Sequence, residues 1–130
     1  MKKYKFSGKT KEVNGTTLHQ IESLIDFGNV KKGDIGGWIE KEDNLSHYEK
    51  CWVSDDAKVS GDAWVFDDAK VSGNAWVFDD ALVYGDARVS GNAKVFGDAW
   101  VSDDAKVFGD AKVFGDARVS GNAWVYGNAN

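Results

Sequence analysis

Residues able to move protons or hold metals are few in this 130-residue chain, and their positions are lopsided. Both histidines, His19 and His47, precede residue 51, and residues 51–130 contain none. The usual general base is therefore missing from most of the chain, and His19 and His47 read as partly exposed residues of an N-terminal cap. The single cysteine, Cys51, excludes an intrachain disulfide. It occupies a position otherwise filled by alanine, which marks it as a small buried hydrophobe. Carboxylates are the one plentiful group. Asp62, Asp80, Asp98 and Asp116 recur every eighteen residues. Stacked, they would repel one another unless they accepted backbone N–H bonds or held a hard cation such as calcium. Equivalent positions carry Asn74, Asn92 and Asn122, so turn capping is the expected role. Gly28–Gly37 is glycine-rich, but its lysines, Lys31 and Lys32, precede most of the glycines, without a phosphate-loop pattern. Its glycines predict tight turns around a buried Ile35 and Trp38. No catalytic residue, cofactor or metal site is assigned.

What positions these groups is a six-residue repeat, running thirteen times from Cys51 to Asn128. Slot one is Ala, or Cys at 51, and slot three is always Val. Two apart, they share one face of an extended strand, while slots two and four face the other way. Slots five and six are Gly, Asp or Asn, residues that turn corners. Six is not a helical period, and a single hexad cannot bury a core. Stacked coils can, with Val on Val and Ala on Ala as the inner lining. The expected fold is all-β: a three-sided solenoid of hexapeptide repeats, residues 51–130, behind a small β cap, residues 1–50. Trp at slot two recurs in multiples of twelve, alternating with Lys or Arg, so a two-sided coil is the alternative, decided by whether Trp64 and Trp76 share a face. On three sides Lys58, Trp76 and Lys94 stack, as do Trp100 and Arg118, setting cations beside indoles at about 0.5–1 kcal/mol per contact.

Within the cap, residues 3–6 alternate as a strand, Asn14-Gly15 marks a hairpin, and residues 16–27 read as a second strand, with a helix as the alternative. Residues 45–50 look like a degenerate hexad. Residues 51–130 carry seven Lys/Arg against thirteen Asp, which argues against gripping nucleic acid along the rod. With no apolar run of membrane-spanning length and no secretory signal ahead of Tyr4, a cytoplasmic location is expected. Three threonines, all before residue 51, do not make an ice-binding array. The repeat stops in mid-pattern at Asn128-Ala129-Asn130, where an open edge invites end-to-end pairing.

The segments Asp26–Lys31, Gly33–Glu40, Asn44-Leu45-Ser46 and Cys51-Trp52-Val53 resemble the YdcK-like hexapeptide-repeat proteins of bacterial and prophage genomes. The resemblance covers nearly the whole chain and departs from the family at Tyr48-Glu49-Lys50, where a glycine-containing turn is usual. It implies a left-handed parallel β-helix, related in fold to trimeric acyltransferases. Those enzymes place a histidine on the coil and an acyl-donor loop between hexads, and this rod has neither, so fold alone grants no activity.

The outward aromatics carry the functional signal. Slot two brings Trp64, Trp76, Trp100 and Trp124, with Trp52, and slot four brings Phe66, Phe78, Tyr84, Phe96, Phe108, Phe114 and Tyr126. Such rings stabilise a thin sheet by stacking, form an interface with another copy or a protein partner, or stack on a flat ligand. The expected function is a non-enzymatic homo-oligomeric scaffold or protein-binding module. The alternative is a small-molecule binder, of a nucleotide or glycan, with slot-two Lys and Arg meeting anionic groups.

Overall fold

The computed structural model describes residues 2–127. Thirteen two-residue strands, from Trp52–Val53 to Trp124–Val125, occupy slots two and three of successive hexads. Each pairs in parallel with the strand eighteen residues away: Trp64 with Leu82, Leu82 with Trp100, Trp100 with Arg118. Three sheets result, making a parallel β-solenoid of the left-handed β-helix kind with an N-terminal β cap. Trp64 and Trp76 lie in different sheets, which settles the coil as three-sided.

Backbone hydrogen bonds climb the rod in a fixed pattern. Slot-two, slot-four and slot-six N–H groups donate to slot-one, slot-three and slot-five carbonyls of the next coil, as in Trp64 N to Ala81 O (3.0 Å), Phe66 N to Val83 O (3.0 Å) and Asp68 N to Gly85 O (2.9 Å). Inside, the Ala and Val columns are fully buried from Ala57 through Ala111, each Val worth about 1.5–3 kcal/mol of burial. In the last described coil Ala117 and Ala123 are exposed and Val119 and Val125 half-buried. The expected open edge at 128–130 lies outside the described residues.

Every corner turns through a left-handed slot five. Asp55, Asp67, Asp79 and Asp103 adopt it at φ 56°, 58°, 61° and 59°, a conformation costly for ordinary L-residues but tolerated by Asp. The side chain offsets the strain. Each of these carboxylates accepts the N–H of the glycine eighteen residues on: Gly73 (3.0 Å), Gly85 (3.1 Å), Gly97 (3.1 Å) and Gly121 (3.0 Å).

The cap extends one of the three sheets. Strands β1 (Tyr4–Val13) and β2 (Thr16–Ser23) form a hairpin, and β2 pairs antiparallel with β3 (Ile35–Ile39). The second segment is thus a strand rather than a helix, but it ends at Ser23, and residues 24–27 lead into the loop. β3 then pairs in parallel with the repeat: Trp38 with Lys58, Ile39 with Val59. Coil geometry therefore already operates within residues 1–50, with Ile39 and Leu45 in valine positions opposite Val59 and Val65. Between Leu45 and Cys51 the chain carries two residues more than a regular corner allows. They lie in the 47–50 turn, where the family resemblance fails.

Two sequence expectations for the cap are corrected. Ile35 is 51% exposed and Trp38 only half-buried; the buried residues are Gly36, Gly37 and Ile39. The glycines are there for close approach. A Cβ on Gly36 would lie 2.6 Å from the Val53 carbonyl oxygen, and one on Gly37 2.7 Å from that of Ala57, so the larger side chains are turned outward.

A buried amide joins cap and rod. Asn44, fully buried, accepts from Glu40 N (3.1 Å) and Lys41 N (2.9 Å), and donates to Gly61 O (3.1 Å) and Ala63 O (2.8 Å). Asn44→Ala strands all four partners. We expect it to lower unfolding free energy by about 3 kcal/mol in urea titration; a loss below about 1 kcal/mol would contradict the bridging role.

Candidate functional site

The eleven aromatics expected at an interface divide among three faces. The first, built on Trp64–Val65, Leu82–Val83, Trp100–Val101 and Arg118–Val119, holds Trp64, Phe66, Tyr84 and Trp100. The second, which continues from the cap through Lys58–Val59, holds Trp76, Phe78, Phe96 and Phe114; the third, from Trp52–Val53 to Trp124–Val125, holds Phe108, Trp124 and Tyr126. Rings eighteen apart lie nearly parallel: Phe66 and Tyr84 at 4.9 Å, Phe78 and Phe96 at 4.8 Å, Phe96 and Phe114 at 5.3 Å, Phe108 and Tyr126 at 5.2 Å. Slot-two indoles lean on them, Trp64 on Phe66 at 4.1 Å and Trp76 on Phe78 at 4.7 Å. This shielding leaves Phe66, Phe78, Tyr84, Phe96 and Phe108 half-buried, and the large exposed rings in the rod are Trp64, Trp100, Phe114, Trp124 and Tyr126. Trp52 departs from the outward expectation. It is 6% exposed, covered edge-on by Phe27 (5.3 Å) and Tyr4 (6.4 Å) of the cap.

The faces differ in slot two, a distinction absent from the repeat unit and visible only when residues are read eighteen apart. The first face runs Trp64, Leu82, Trp100 before its first cation, Arg118. The second runs Lys58, Trp76, Lys94, Lys112, and the third Trp52, Lys70, Arg88, Lys106, Trp124. Of the expected cation–indole contacts in the rod, Arg118 over Trp100 at 4.2 Å forms. Lys58, Lys70 and Lys106 instead fold back onto the carbonyls of Asp56 (3.1 Å), Asp68 (3.3 Å) and Asp104 (3.5 Å). Those slot-six carbonyls take no part in the coil-to-coil ladder, so a charge-assisted bond two residues away wins over the more distant ring.

The carboxylate column does not converge. Asp62 pairs with Lys41 at 2.8 Å, and among the described residues no group of three or more His, Cys, Asp or Glu is placed to hold a metal. The Asn column is an amide ladder: Asn74 donates to Asn92 (3.3 Å) and Asn92 to Asp110 (3.2 Å).

At the cap, His47 has neither ring nitrogen free. Nδ1 accepts the Lys3 backbone N–H (3.1 Å), which leaves the proton on Nε2 to donate to Glu42 (2.9 Å). Tyr4 stacks on the ring at 4.1 Å and donates its hydroxyl to Leu45 O at 2.6 Å. Bonds from His47 and Lys2 hold the Glu42 carboxyl below its usual range. His19 stacks on Phe6 at 4.3 Å. Lys3, which the repeat gave no reason to single out, is 2% exposed and fills the oversized corner, donating to Cys51 O (2.7 Å), Glu49 O (3.2 Å) and Cys51 Sγ (3.4 Å). Burial pulls the Lys3 ammonium below its ordinary value and pushes the Cys51 thiol above its own. Both shifts disfavour a thiolate, so Cys51 in the native protein should resist iodoacetamide at neutral pH for hours and react once urea unfolds the chain. Native labelling within minutes would contradict this burial.

A groove of about 510 Å³ lies where the cap loop crosses the third face, and another of about 570 Å³ lies beside His47, Tyr48 and Trp64. No helix among the described residues is long and apolar enough to cross a membrane.

Comparison with known proteins agrees with this geometry. Residues 87–103 and 111–127 match the sequence model of the YdcK β-solenoid repeat. In an alignment that covers 46% of this chain, it is 32% identical to a protein of Escherichia coli (strain K12) named as an uncharacterised acetyltransferase, YdcK. The match spans 21% of that relative's length. In repeat sequence and in fold, the chain matches the YdcK-like β-solenoid proteins.

Proposed function

We propose that this protein is a non-enzymatic scaffold that assembles with a second copy of itself through its first face. The observation that carries the reading is the slot-two run Trp64–Leu82–Trp100 beside the stacked pair Phe66–Tyr84: three coils of apolar surface with no charge in the slot-two column. Trp64 is 44% and Trp100 37% exposed. Slot-two charge breaks up the other two faces, so a flat apolar partner surface fits the first face best. A stable interface buries on the order of 1,000 Å² or more, with aromatic anchors at its centre. A second copy offers the same flat, ring-bearing surface in return.

The acetyltransferase name belongs to a relative of which this chain spans 21%. What supports a non-enzymatic reading is that residues 51–130 hold no histidine and that both nitrogens of His47 are occupied. A cytoplasmic setting accords with the one free, buried thiol.

Light scattering across a concentration series tests the proposal. The native protein should run as an oligomer, and Trp64→Lys with Trp100→Lys should raise the dissociation constant at least about tenfold. Both side chains lie outside the Val/Ala core, so the isolated protomer should stay folded, losing only their ring contacts with Phe66, Tyr84 and Arg118. A native protein that stays monomeric at high concentration would overturn the reading.

A further inference from the structure

The groove on the third face has the opposite character to the apolar first face. Its floor is a column of hydroxyls, Ser54, Ser72 and Ser90, each half-buried and one coil apart. Of the slot-four serines on the other faces, Ser60 accepts the Trp76 indole N–H at 3.0 Å, and Ser102 and Ser120 do not extend to such a column of three. Among the described residues the three floor hydroxyls have no protein partner. Beside them, Lys70 and Arg88 are cross-strand neighbours, followed by Lys106. Three cations in adjacent parallel strands lie about 4.8 Å apart per step and repel one another. No carboxylate side chain forms an ion pair with any of them among the described residues. Lys50 also lines the groove.

The opposite wall is the cap loop. It is stiffened by paired backbone bonds between Phe27 and Val30 (2.9 and 2.7 Å), and by Asp26 and Asp34 accepting the N–H groups of Lys32 (2.7 Å) and Lys31 (2.9 Å). The loop brings Phe27, Val30 and the exposed Ile35 to the groove as an apolar side. Asp34 is the one acidic residue in the lining, against three cations, on a rod that is otherwise strongly acidic.

We propose that this groove binds a small phosphorylated compound. Arg88 and Lys70 would meet the phosphate, Ser72 and Ser90 would donate to its oxygens, and the organic part would lie along Phe27, Val30 and Ile35. An anion removes the repulsion within the cation column, the free hydroxyls gain an acceptor, and Ile35 loses its exposure to water. A pocket of about 510 Å³ is sized for a metabolite. The groove shares no residue with the first-face interface, so either proposal stands if the other falls.

Calorimetric titration of the full chain with AMP, glucose 6-phosphate and inorganic phosphate tests it, with adenosine and glucose as neutral counterparts. At least one phosphorylated probe should bind, more weakly as salt rises, while its neutral counterpart does not. Preference for AMP assigns a nucleotide, preference for the sugar phosphate assigns a phosphosugar, and equal binding of inorganic phosphate assigns the head group alone. Lys70→Gln with Arg88→Gln should weaken binding at least about tenfold. This variant relieves like-charge repulsion at the loss of the Lys70 bond to Asp68 O, so it should still unfold cooperatively and within a few degrees of the native protein, separating lost affinity from lost fold. The proposal is overturned if no phosphorylated probe binds at about 10 mM, if neutral counterparts bind equally, or if the double variant binds unchanged.

Discussion

The controlling constraint is that one turn of the rod consumes eighteen residues, and the backbone hydrogen bonds between its coils enforce that count. Slot-two N–H to slot-one carbonyl, repeated up the rod at 2.9–3.1 Å, leaves no freedom for a residue to sit anywhere but over its equivalent one coil away. Columns follow from this. Valine meets valine and alanine meets alanine in the core, while outside, a serine column, a tryptophan–leucine column and a lysine–arginine column each persist for three coils. A uniform six-residue repeat thereby acquires three chemically different faces. Their difference was written into the chain at a period the hexad itself conceals.

The same constraint explains why the cap is built with such unusual polar packing. A corner with two surplus residues opens a hole beside the core, and the hole is filled by Lys3, whose ammonium reaches two carbonyls and the Cys51 sulfur. Around it, Tyr4, His47 and Glu42 are locked together by stacking and hydrogen bonds, and Asn44 bridges the loop to the Gly61-Asp62 corner. A buried lysine is costly unless its donors are met; here the carbonyls of Glu49 and Cys51 and the Cys51 sulfur meet them. A histidine committed on both nitrogens is a structural part of this plug.

Much of this architecture was legible beforehand because slots one, three and five are constrained by sterics alone: methyl-sized corners, branched lining residues, left-handed turns. The strands and the Val/Ala lining follow from them, whereas the repeat leaves the number of sides open between two and three, and the pairing of Trp64 with Leu82 and of Trp76 with Lys58 decides it. What escaped was decided by competition between partners. Trp52 obeys the repeat in sequence, yet the cap loop covers it, and nothing in the hexad announces Phe27 as its lid. Ile35 and Trp38 were expected inside because they are apolar, whereas the tight approach of β3 to Val53 and Ala57 admits only the glycines between them. Lysines expected over indoles find nearer carbonyls. The basic groove depends on a loop folding back across the third face, and no local pattern fixes that path.

Both functional readings, an apolar face for assembly and a cationic groove for a phosphorylated ligand, stand on the column rule. Paired nitroxide labels test it most directly. In a Cys51→Ser background, labels at Ser72 and Ser90, eighteen apart on adjacent strands of one face, should show strong dipolar broadening. Labels at Ser72 and Tyr84, twelve apart on different faces, should show little. The reverse result would mean a two-sided coil, and the three faces described for this protein would not exist.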